Sequence, residues 1–166
     1  MCGCGPQDES SILSFRPEIK KMVKLLKANL KDFETIAEIY MEAFSQPPFN
    51  EPWTRKQVLD KVKIFSKYCE IWKITDDKKI IGFVIINPNQ WYPGKFAFGE
   101  EMAIKKEYRG RGIGTKMMKE ILEIYEKRGF EFFRGFGNKE AKSFKLWEKL
   151  GVKESDRNVL IMRKLK

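Results

Sequence analysis

The segment EYRGRGIGTKMM, residues 107–118, constrains the fold of this chain more than any other stretch. Three of the twelve glycines fall within it, at Gly110, Gly112 and Gly114, after a strand-like run and before an apolar, helix-like one. Glycine loses the most backbone freedom on folding, so such a cluster needs a structural reason. A glycine-rich turn between a strand and a helix gathers free backbone N–H groups at the positive end of the helix dipole. The segment therefore predicts a cradle for an anion, most naturally a pyrophosphate.

Two common phosphate-binding motifs do not fit this turn. A P-loop ends in Gly-Lys followed by Ser or Thr, whereas Gly114 is followed by Thr115 and Lys116. The dinucleotide fingerprint G-x-G-x-x-G needs a third glycine at position 115 or 117, where the chain has none, and belongs to an early βαβ unit. The pattern that does fit is Arg-x-x-Gly-x-Gly, formed by Arg109, Gly112 and Gly114.

Hydrophobic periodicity and chain-breaking residues predict the remaining elements. Strands are expected at 21–27, 68–75, 79–86, 95–104, 130–136 and 158–165, and helices at 29–44, 54–66, 112–128 and 139–150. Asn29 and Thr54 are the expected N-caps of the first two helices, and Gly129 and Gly151 are expected to end the last two. Residues 1–18 are predicted to be an irregular leader, and residues 19–166 a single α/β domain.

Composition excludes several classes of function. Histidine is absent, which rules out a Ser-His-Asp triad, a Cys-His pair and any histidine-ligated metal. Cys2 and Cys4 are too few for a metal site of their own and Cys69 is expected in the core, so no metal is predicted. No apolar run approaches the ~20 residues of a membrane span, and the N-terminus does not resemble a signal peptide. We therefore expect a soluble cytoplasmic protein.

The net charge of +10 arises from lysines that are interleaved with glutamates along the whole chain. A basic block would indicate a nucleic-acid surface, but a distributed excess is typical of a solvated, mixed-charge surface. The sequence also contains no known nucleic-acid motif. A nucleic-acid-binding module is therefore a weak rival hypothesis, which predicts binding that falls steeply with salt.

The stretch EEMAIKKEYRGRGIGTKMM resembles the acetyl-CoA signature of the GNAT superfamily of N-acetyltransferases, and LWEKLGV resembles the last helix of that family. The predicted order of elements matches the family from about residue 21 to the C-terminus. The resemblance implies an α/β (α+β) GNAT acyl-CoA fold, whose central mixed, mostly antiparallel sheet has about seven strands and about four helices. It also implies acetyl-CoA as co-substrate.

By this resemblance, backbone amides of the glycine turn hold the pyrophosphate of acetyl-CoA. Ile104, at the end of the preceding strand, would pair its backbone with the pantetheine arm. Trp147 stands where many relatives have a tyrosine that protonates the leaving thiolate; indole cannot serve as that acid, so we expect Trp147 to pack beside the thioester. The residues implied to contact the cofactor are Met102, Ile104, Arg109, Gly110, Arg111, Gly112, Ile113, Gly114, Thr115, Asn138, Ser143 and Trp147.

Glu100 and Glu101 are the candidate general bases. Side chains alternate along a regular strand, so only one of the two is expected to face the substrate. The position of bases in the family favours Glu100, a β-bulge would shift the parity toward Glu101, and water is the third option. The acceptor amine is expected to lie against aromatic and acidic residues of two loops, namely Phe49, Glu51, Trp53 and Trp91.

The resemblance implies direct transfer of an acetyl group from acetyl-CoA to a primary amine of a small molecule or peptide, with no enzyme nucleophile. A non-catalytic acyl-CoA sensor on the same fold is the alternative, and turnover of acetyl-CoA with a panel of amines would separate the two. Acetyl-CoA and an amine acceptor are the expected partners, a nucleic acid and a membrane are not, and a homodimer is compatible with the sequence.

Overall fold

The computed structural model describes residues 23–155 and 162–163. Its elements in chain order are β1 (Val23–Lys27), α1 (Phe33–Phe44), α2 (Arg55–Phe65), β2 (Glu70–Asp76), β3 (Lys79–Asn87), β4 (Phe96–Ile104), α3 (Ile113–Lys127), β5 (Phe132–Gly135) and α4 (Phe144–Lys149). Short 3-10 turns precede α1 and follow β4. In these described ranges, no helix combines the length and apolarity that crossing a bilayer requires.

The predicted α/β class and mostly antiparallel sheet are confirmed, but the strand count and the last helix differ from expectation. The described residues form five strands rather than about seven. The predicted strand 158–165 lies outside them except at 162–163, which belong to no strand, and the leader 1–18 also lies outside. The helix expected from 139 begins only at Phe144. Asn138 turns the chain first, because its side-chain oxygen accepts a hydrogen bond from the Glu140 N–H (2.9 Å).

The sheet follows the order of the chain, β1-β2-β3-β4-β5. The first three pairings are antiparallel, and only β4 and β5 run parallel, from the pair Phe96–Phe132 to the pair Gly99–Gly135. A parallel connection needs a crossover, and α3 supplies it. The glycine turn that begins this crossover therefore lies at the C-terminal end of β4.

Helices cover the two faces of the sheet and divide the core in two. The α1/α2 face carries Phe83 and Ile85 of β3, which pack against buried side chains of both helices. The α3 face carries Val84 and Ile86, which pack against Met117, Ile121 and their neighbours. Consecutive residues of β3 thus alternate between the two cores, as the near-continuous apolar run of this strand predicts.

Side-chain caps fix the 3-10 turn that leads into α1 and the start of α2. Asn29 accepts a hydrogen bond from the Lys31 N–H (3.0 Å), while Asp32 accepts one from the Asn29 N–H (2.8 Å). Thr54 and Gln57 form the same reciprocal arrangement at the start of α2. Each cap satisfies N–H groups that a helix leaves without partners in its first turn. The N-cap predicted at Thr54 is confirmed for α2. Asn29 caps the 3-10 turn Leu30–Asp32, and the helix expected from residue 29 begins as α1 only at Phe33.

Glu70 of β2 anchors the C-terminal end of α3 to the sheet. Its carboxylate accepts hydrogen bonds from Tyr125 Oη (2.8 Å) and from both terminal nitrogens of Arg128 (2.7 and 2.9 Å), and it also pairs with Lys27. Burial alone would raise the pKa of Glu70, but the hydrogen bonds from Arg128, Lys27 and Tyr125 outweigh it and lower the pKa to about 2. The ionised carboxylate therefore stabilises the docking of the helix that begins at the glycine turn.

We expect Glu70→Gln to lower the free energy of unfolding at pH 7. Because the folded pKa of Glu70 is about 2 and its ordinary value is 4.5, this contribution is present above pH 4.5 and is lost as the pH falls toward 2. Urea unfolding from pH 7 to pH 2 should show the difference between variant and parent shrinking over that interval. Glu123→Gln, on the exposed surface of α3, is the control. A difference that stays constant down to pH 2 would contradict this assignment.

Candidate active site

The turn between β4 and α3 presents a row of open backbone N–H groups. Gly110 and Gly112 have φ angles of +74° and +75°, which side chains rarely adopt, and nothing lies within 4 Å of the Cβ that either would carry. None of the described residues accepts a hydrogen bond from a backbone N–H of residues 110–115. The first turn of α3 contains no acidic side chain. These N–H groups and the positive end of the helix dipole therefore form a site suited to an anion.

Gly114 serves a different purpose from the other two glycines. A Cβ at this position would lie 3.0 Å from Leu146 Cδ1 and 3.3 Å from Met102 Cε. Its missing side chain therefore allows α3 to pack closely on β4 and α4. Gly110 and Gly112, by contrast, have open space where a Cβ would lie.

Arginines frame the turn and hold its shape. Arg109 Nε donates a hydrogen bond to the carbonyl oxygen of Ile104 (2.6 Å), which ties the turn to the end of β4. The guanidinium of Arg111 lies 5.5 Å from the ring centroid of Tyr108. Both arginines are exposed and flank the unpaired N–H groups, so they add positive charge where the anion would bind.

Strands β4 and β5 part beside the turn. Their last paired residues are Gly99 and Gly135, but β4 continues to Ile104. Close approach of the two backbones fixes this point, because a Cβ on Gly135 would lie 3.1 Å from the Gly99 carbonyl oxygen. From Glu100 onward, no described strand pairs with this edge of β4. Apart from the Ile104 carbonyl oxygen, which accepts from Arg109, the backbone N–H and C=O groups on this edge are available to an extended ligand.

The segment from β5 to α4 forms the other wall of this opening. Trp147 stacks on Phe133, with ring centroids 5.7 Å apart, and is half-buried. Trp147 therefore packs against β5, and its place beside the thioester stays a prediction. Asn138 is half-buried and uses its side-chain oxygen within the chain, whereas Ser143 is an exposed residue just before α4.

A β-bulge in β4 puts both candidate bases on the same face of the sheet. Ile86 of β3 pairs with Gly99 and Ile85 pairs with Glu101, so Glu100 is an extra residue without a partner in β3. An extra residue resets the alternation of side chains. The regular alternation that would leave only one of the two glutamates on the α1/α2 side therefore does not hold in this strand, and which of them faces the substrate stays a prediction.

Glu100 lies at the outer part of the bulge. Its carboxylate accepts a hydrogen bond from Asn87 Nδ2 (3.0 Å). Burial, and then the negative charge of Glu100, raise the pKa of the neighbouring Cys69 thiol to about 12. Cys69 is half-buried just before β2 and remains a protonated thiol at neutral pH, so it is not a reactive nucleophile.

Glu101 lies deeper, between α1 and α2. One carboxylate oxygen accepts hydrogen bonds from Tyr40 Oη (2.8 Å) and Lys61 Nζ (2.6 Å), and Lys61 Nζ also donates to Tyr40 Oη (2.6 Å). Burial, and then the charge of Glu101, raise the pKa of Tyr40, so its hydroxyl remains a neutral donor. The three side chains form a closed triangle of hydrogen bonds that we call the Glu101 triangle.

Aromatic faces surround the ammonium group of this triangle. Lys61 Nζ lies 4.8 Å from the ring centroid of Trp53, 4.9 Å from that of Tyr40 and 5.6 Å from that of Phe65. Cations are attracted to aromatic faces at such distances. These three rings, which we call the aromatic cage, form a site for a cationic amine directly beside Glu101.

Three of the four predicted acceptor residues adjoin this cage. Trp53 is part of it, Glu51 accepts a hydrogen bond from the Trp53 indole N–H, and Phe49 packs on Phe44 with centroids 5.0 Å apart. Trp91 does not belong to the same cluster: it is exposed on the β3–β4 loop and packs against Arg134, whose guanidinium carbon lies 4.5 Å from its ring centroid.

Sequence reasoning missed Tyr40 and Lys61 as site residues. Tyr40 lies on the buried apolar stripe of α1, and its hydroxyl partner is 61 positions away, so no local pattern marks it. The sequence pattern could have indicated Lys61, because it falls between Val58 and Phe65 at helical spacing, on the buried stripe of α2. A lysine on such a stripe needs a buried partner, and Glu101 is that partner.

Fold and site together define an α/β protein with an anion cradle at a helix N-terminus beside an open strand edge. The sequence model of the Acetyltransferase (GNAT) family matches residues 33–152. The chain therefore belongs to the GNAT acetyltransferase family. A sequence comparison with curated proteins found no match.

Solved structures of acetyltransferases share the fold at low sequence identity. A possible acetyltransferase from Clostridium difficile 630 is 19% identical, with a TM-score of 0.73 over 87% of this chain and 99% of its own. The aminoglycoside N-acetyltransferase AAC(6')-Iy in complex with CoA is 16% identical, with a TM-score of 0.68 over 87% and 96%. A ribosomal-protein-alanine N-acetyltransferase from Brucella melitensis biovar Abortus 2308 is 16% identical, with a TM-score of 0.67 over 86% and 100%.

We expect Tyr40→Phe to destabilise the protein by about 1–2 kcal/mol, since a buried hydroxyl that bonds two charged groups is lost. Thermal or urea unfolding measures the loss. Tyr92→Phe is the matched control, because Tyr92 is 64% exposed. Equal stabilities for the two variants would contradict the Glu101 triangle.

Proposed function

We propose that the protein is an acetyl-CoA-dependent N-acetyltransferase that acetylates a primary amine of a small molecule or peptide. The observation that carries this proposal is the row of unpaired N–H groups in residues 110–115 next to the open edge of β4. A pyrophosphate and an extended arm are the two features of acetyl-CoA that such a surface would recognise. Membership of the GNAT family supports acetyl transfer in general.

Acetyl-CoA supplies an activated thioester acyl group. Residues 110–115 would bind its pyrophosphate through their N–H groups, with Arg109 holding the turn in shape and Arg111 adding charge. Met102 and Ile104 would pair their backbone groups with the pantetheine arm along the unpaired edge of β4. Gly110 and Gly112 fit this role, because a side chain at either position would project into the open face of the turn.

Asn138, Ser143 and Trp147 would complete the cofactor site from the opposite wall. Trp147 is held by its stacking on Phe133, which favours a packing role over proton transfer. The departing thiolate would then take its proton from water, which a thiol pKa near 8.5 allows.

We propose Glu101 as the general base, in place of the sequence-based preference for Glu100. Its carboxylate lies within hydrogen-bond reach of an amine, as a base for amine acetylation must. Glu100 also faces the α1/α2 side, but its described hydrogen-bond partner is the Asn87 amide. Glu101 would accept a proton from the acceptor amine as that amine attacks the thioester carbonyl carbon.

The acceptor would enter beside the aromatic cage. Trp53 and Glu51 offer an aromatic face and a carboxylate, which together recognise a cationic amine. Two of the structural neighbours are an aminoglycoside and a ribosomal-protein-alanine acetyltransferase, so the shared fold is compatible with small-molecule and protein acceptors.

A non-catalytic acyl-CoA sensor is the second candidate, and one observation favours it. Glu101 is already paired with Lys61 in the structure, so an amine of the chain itself occupies the carboxylate that an acceptor would need. A sensor would bind acetyl-CoA without consuming it. Release of free CoA with polyamines, aminoglycosides, amino acids and short peptides in parallel separates the two functions.

We expect Gly112→Glu to abolish acetyl-CoA binding measured by calorimetry, because a carboxylate would lie in front of the N–H groups that hold the pyrophosphate. Gly129→Glu is the matched control. Both glycines have a left-handed φ, +75° and +88°, and open space for a side chain, but Gly129 lies at the other end of α3. Undiminished binding by Gly112→Glu, or equal losses in both variants, would contradict the cradle.

We expect Glu101→Gln to lower kcat/KM by about 10²–10⁴-fold, the usual contribution of a general base, with acetyl-CoA affinity unchanged. Glu100→Gln should have little effect. A loss confined to Glu100→Gln would instead restore the sequence-based preference. If neither substitution slows turnover, water is the base.

A further inference from the structure

Lys61 places a primary amine of the chain itself in the candidate acceptor site. Its Nζ atom lies 2.6 Å from Glu101 Oε1 and is enclosed by the aromatic cage. Its side chain is 26% exposed, so it remains open to the surface. No other lysine of α2 is placed this way: Lys56 and Lys63 are exposed and make no described side-chain contact.

The position of this amine coincides with the position that catalysis requires. A general base must lie within about 2.6–3.2 Å of the proton that it removes. Lys61 Nζ, 2.6 Å from Glu101 Oε1, already lies within that distance. Lys61 is itself a primary amine, the class of acceptor proposed for this site, and it is already held beside Glu101.

We propose that Lys61 is acetylated by the protein's own active site. The inference rests on the proposed function. Glu101 takes a proton from the Lys61 ammonium, and the freed Nζ lone pair attacks the thioester carbonyl carbon of acetyl-CoA. The N–C bond forms and the C–S bond breaks. The second proton of the attacking nitrogen passes through water to the CoA thiolate as it leaves. The products are Nε-acetyl-Lys61 and free CoA.

The surroundings of Lys61 leave room for this change. An open cleft of about 340 Å³ runs along the outer side of α2 and is lined by Lys61 together with Trp53, Gln57 and Tyr68 among others. The four-carbon stem of lysine is flexible, so the side chain can move between the cage and this cleft. Acetylation removes the positive charge, and with it the ion pair that occupies Glu101.

The experiment incubates the full chain with acetyl-CoA and no added acceptor, and follows acetylation of each lysine by peptide mass spectrometry. Lys63 lies on the same helix and serves as an internal control in every digest. We expect Lys61 to be acetylated at least about 10²-fold faster than Lys63, the lower end of what a general base contributes. The fraction modified per unit time should not depend on protein concentration, since the transfer is intramolecular.

Two variants test the origin of the reaction. In Glu101→Gln, acetylation of Lys61 should fall to the rate of Lys63 while calorimetry still shows acetyl-CoA binding. In Gly112→Glu, both binding and Lys61 acetylation should be lost. Circular dichroism checks that each variant is folded. If Glu101→Gln does not fold, Gly112→Glu still decides the test.

Equal rates at Lys61 and Lys63, or a rate that Glu101→Gln leaves unchanged, would mean uncatalysed chemical acetylation and would overturn the inference. So would an unmodified Lys61 in a protein that binds acetyl-CoA and acetylates added amines, although the proposed function would then stand. A chain that binds no acetyl-CoA would overturn both the inference and the proposed function.

Discussion

The parting of β4 from β5 is the constraint on which the rest of the site depends. The two strands pair only as far as Gly99 and Gly135, where their backbones approach closely. Beyond that point no described strand pairs with this edge of β4, and the glycine turn begins where that edge ends. Parallel pairing makes this geometry possible, because the crossover through α3 starts at the same end of the sheet at which the two strands separate.

The bulge at Glu100 links this opening to the acceptor side. With regular alternation, one of the two adjacent carboxylates would point into the α3 core, where a buried charge without a partner is costly. The extra residue turns both toward α1 and α2 instead. Tyr40 and Lys61 then satisfy the deeper carboxylate, and the aromatic rings beside it form a site for a cation. One irregularity in one strand thus brings a candidate base and an amine site together.

Local signals allowed most of the fold to be predicted. The caps at Asn29 and Thr54 and the chain reversals at Gly129 and Gly151 depend on neighbouring residues, so the sequence reveals them. The start of α4 was missed because Asn138 turns the chain first.

The site was predicted unevenly for a physical reason. The glycine turn is a continuous motif, and its open N–H groups follow from helix geometry. The bulge depends on how β4 pairs with β3. The Glu101 triangle joins three residues that are distant in the chain: Tyr40 and Lys61 are 21 positions apart, Lys61 and Glu101 are 40 apart, and Tyr40 and Glu101 are 61 apart. Neither is encoded in a local pattern, so only the folded structure reveals that Glu100 and Glu101 share a face and that Lys61 adjoins one of them.

The central claim is that the N–H groups of residues 110–115 hold the pyrophosphate of acetyl-CoA. Amide proton and nitrogen shifts, recorded by NMR during titration, test it at the atoms concerned. CoA should shift the amide resonances of Gly110, Gly112 and Thr115, whereas pantetheine, which lacks the pyrophosphate, should leave them unchanged. If CoA binds and these amides do not respond, or if pantetheine alone moves them equally, the account of the cradle is wrong.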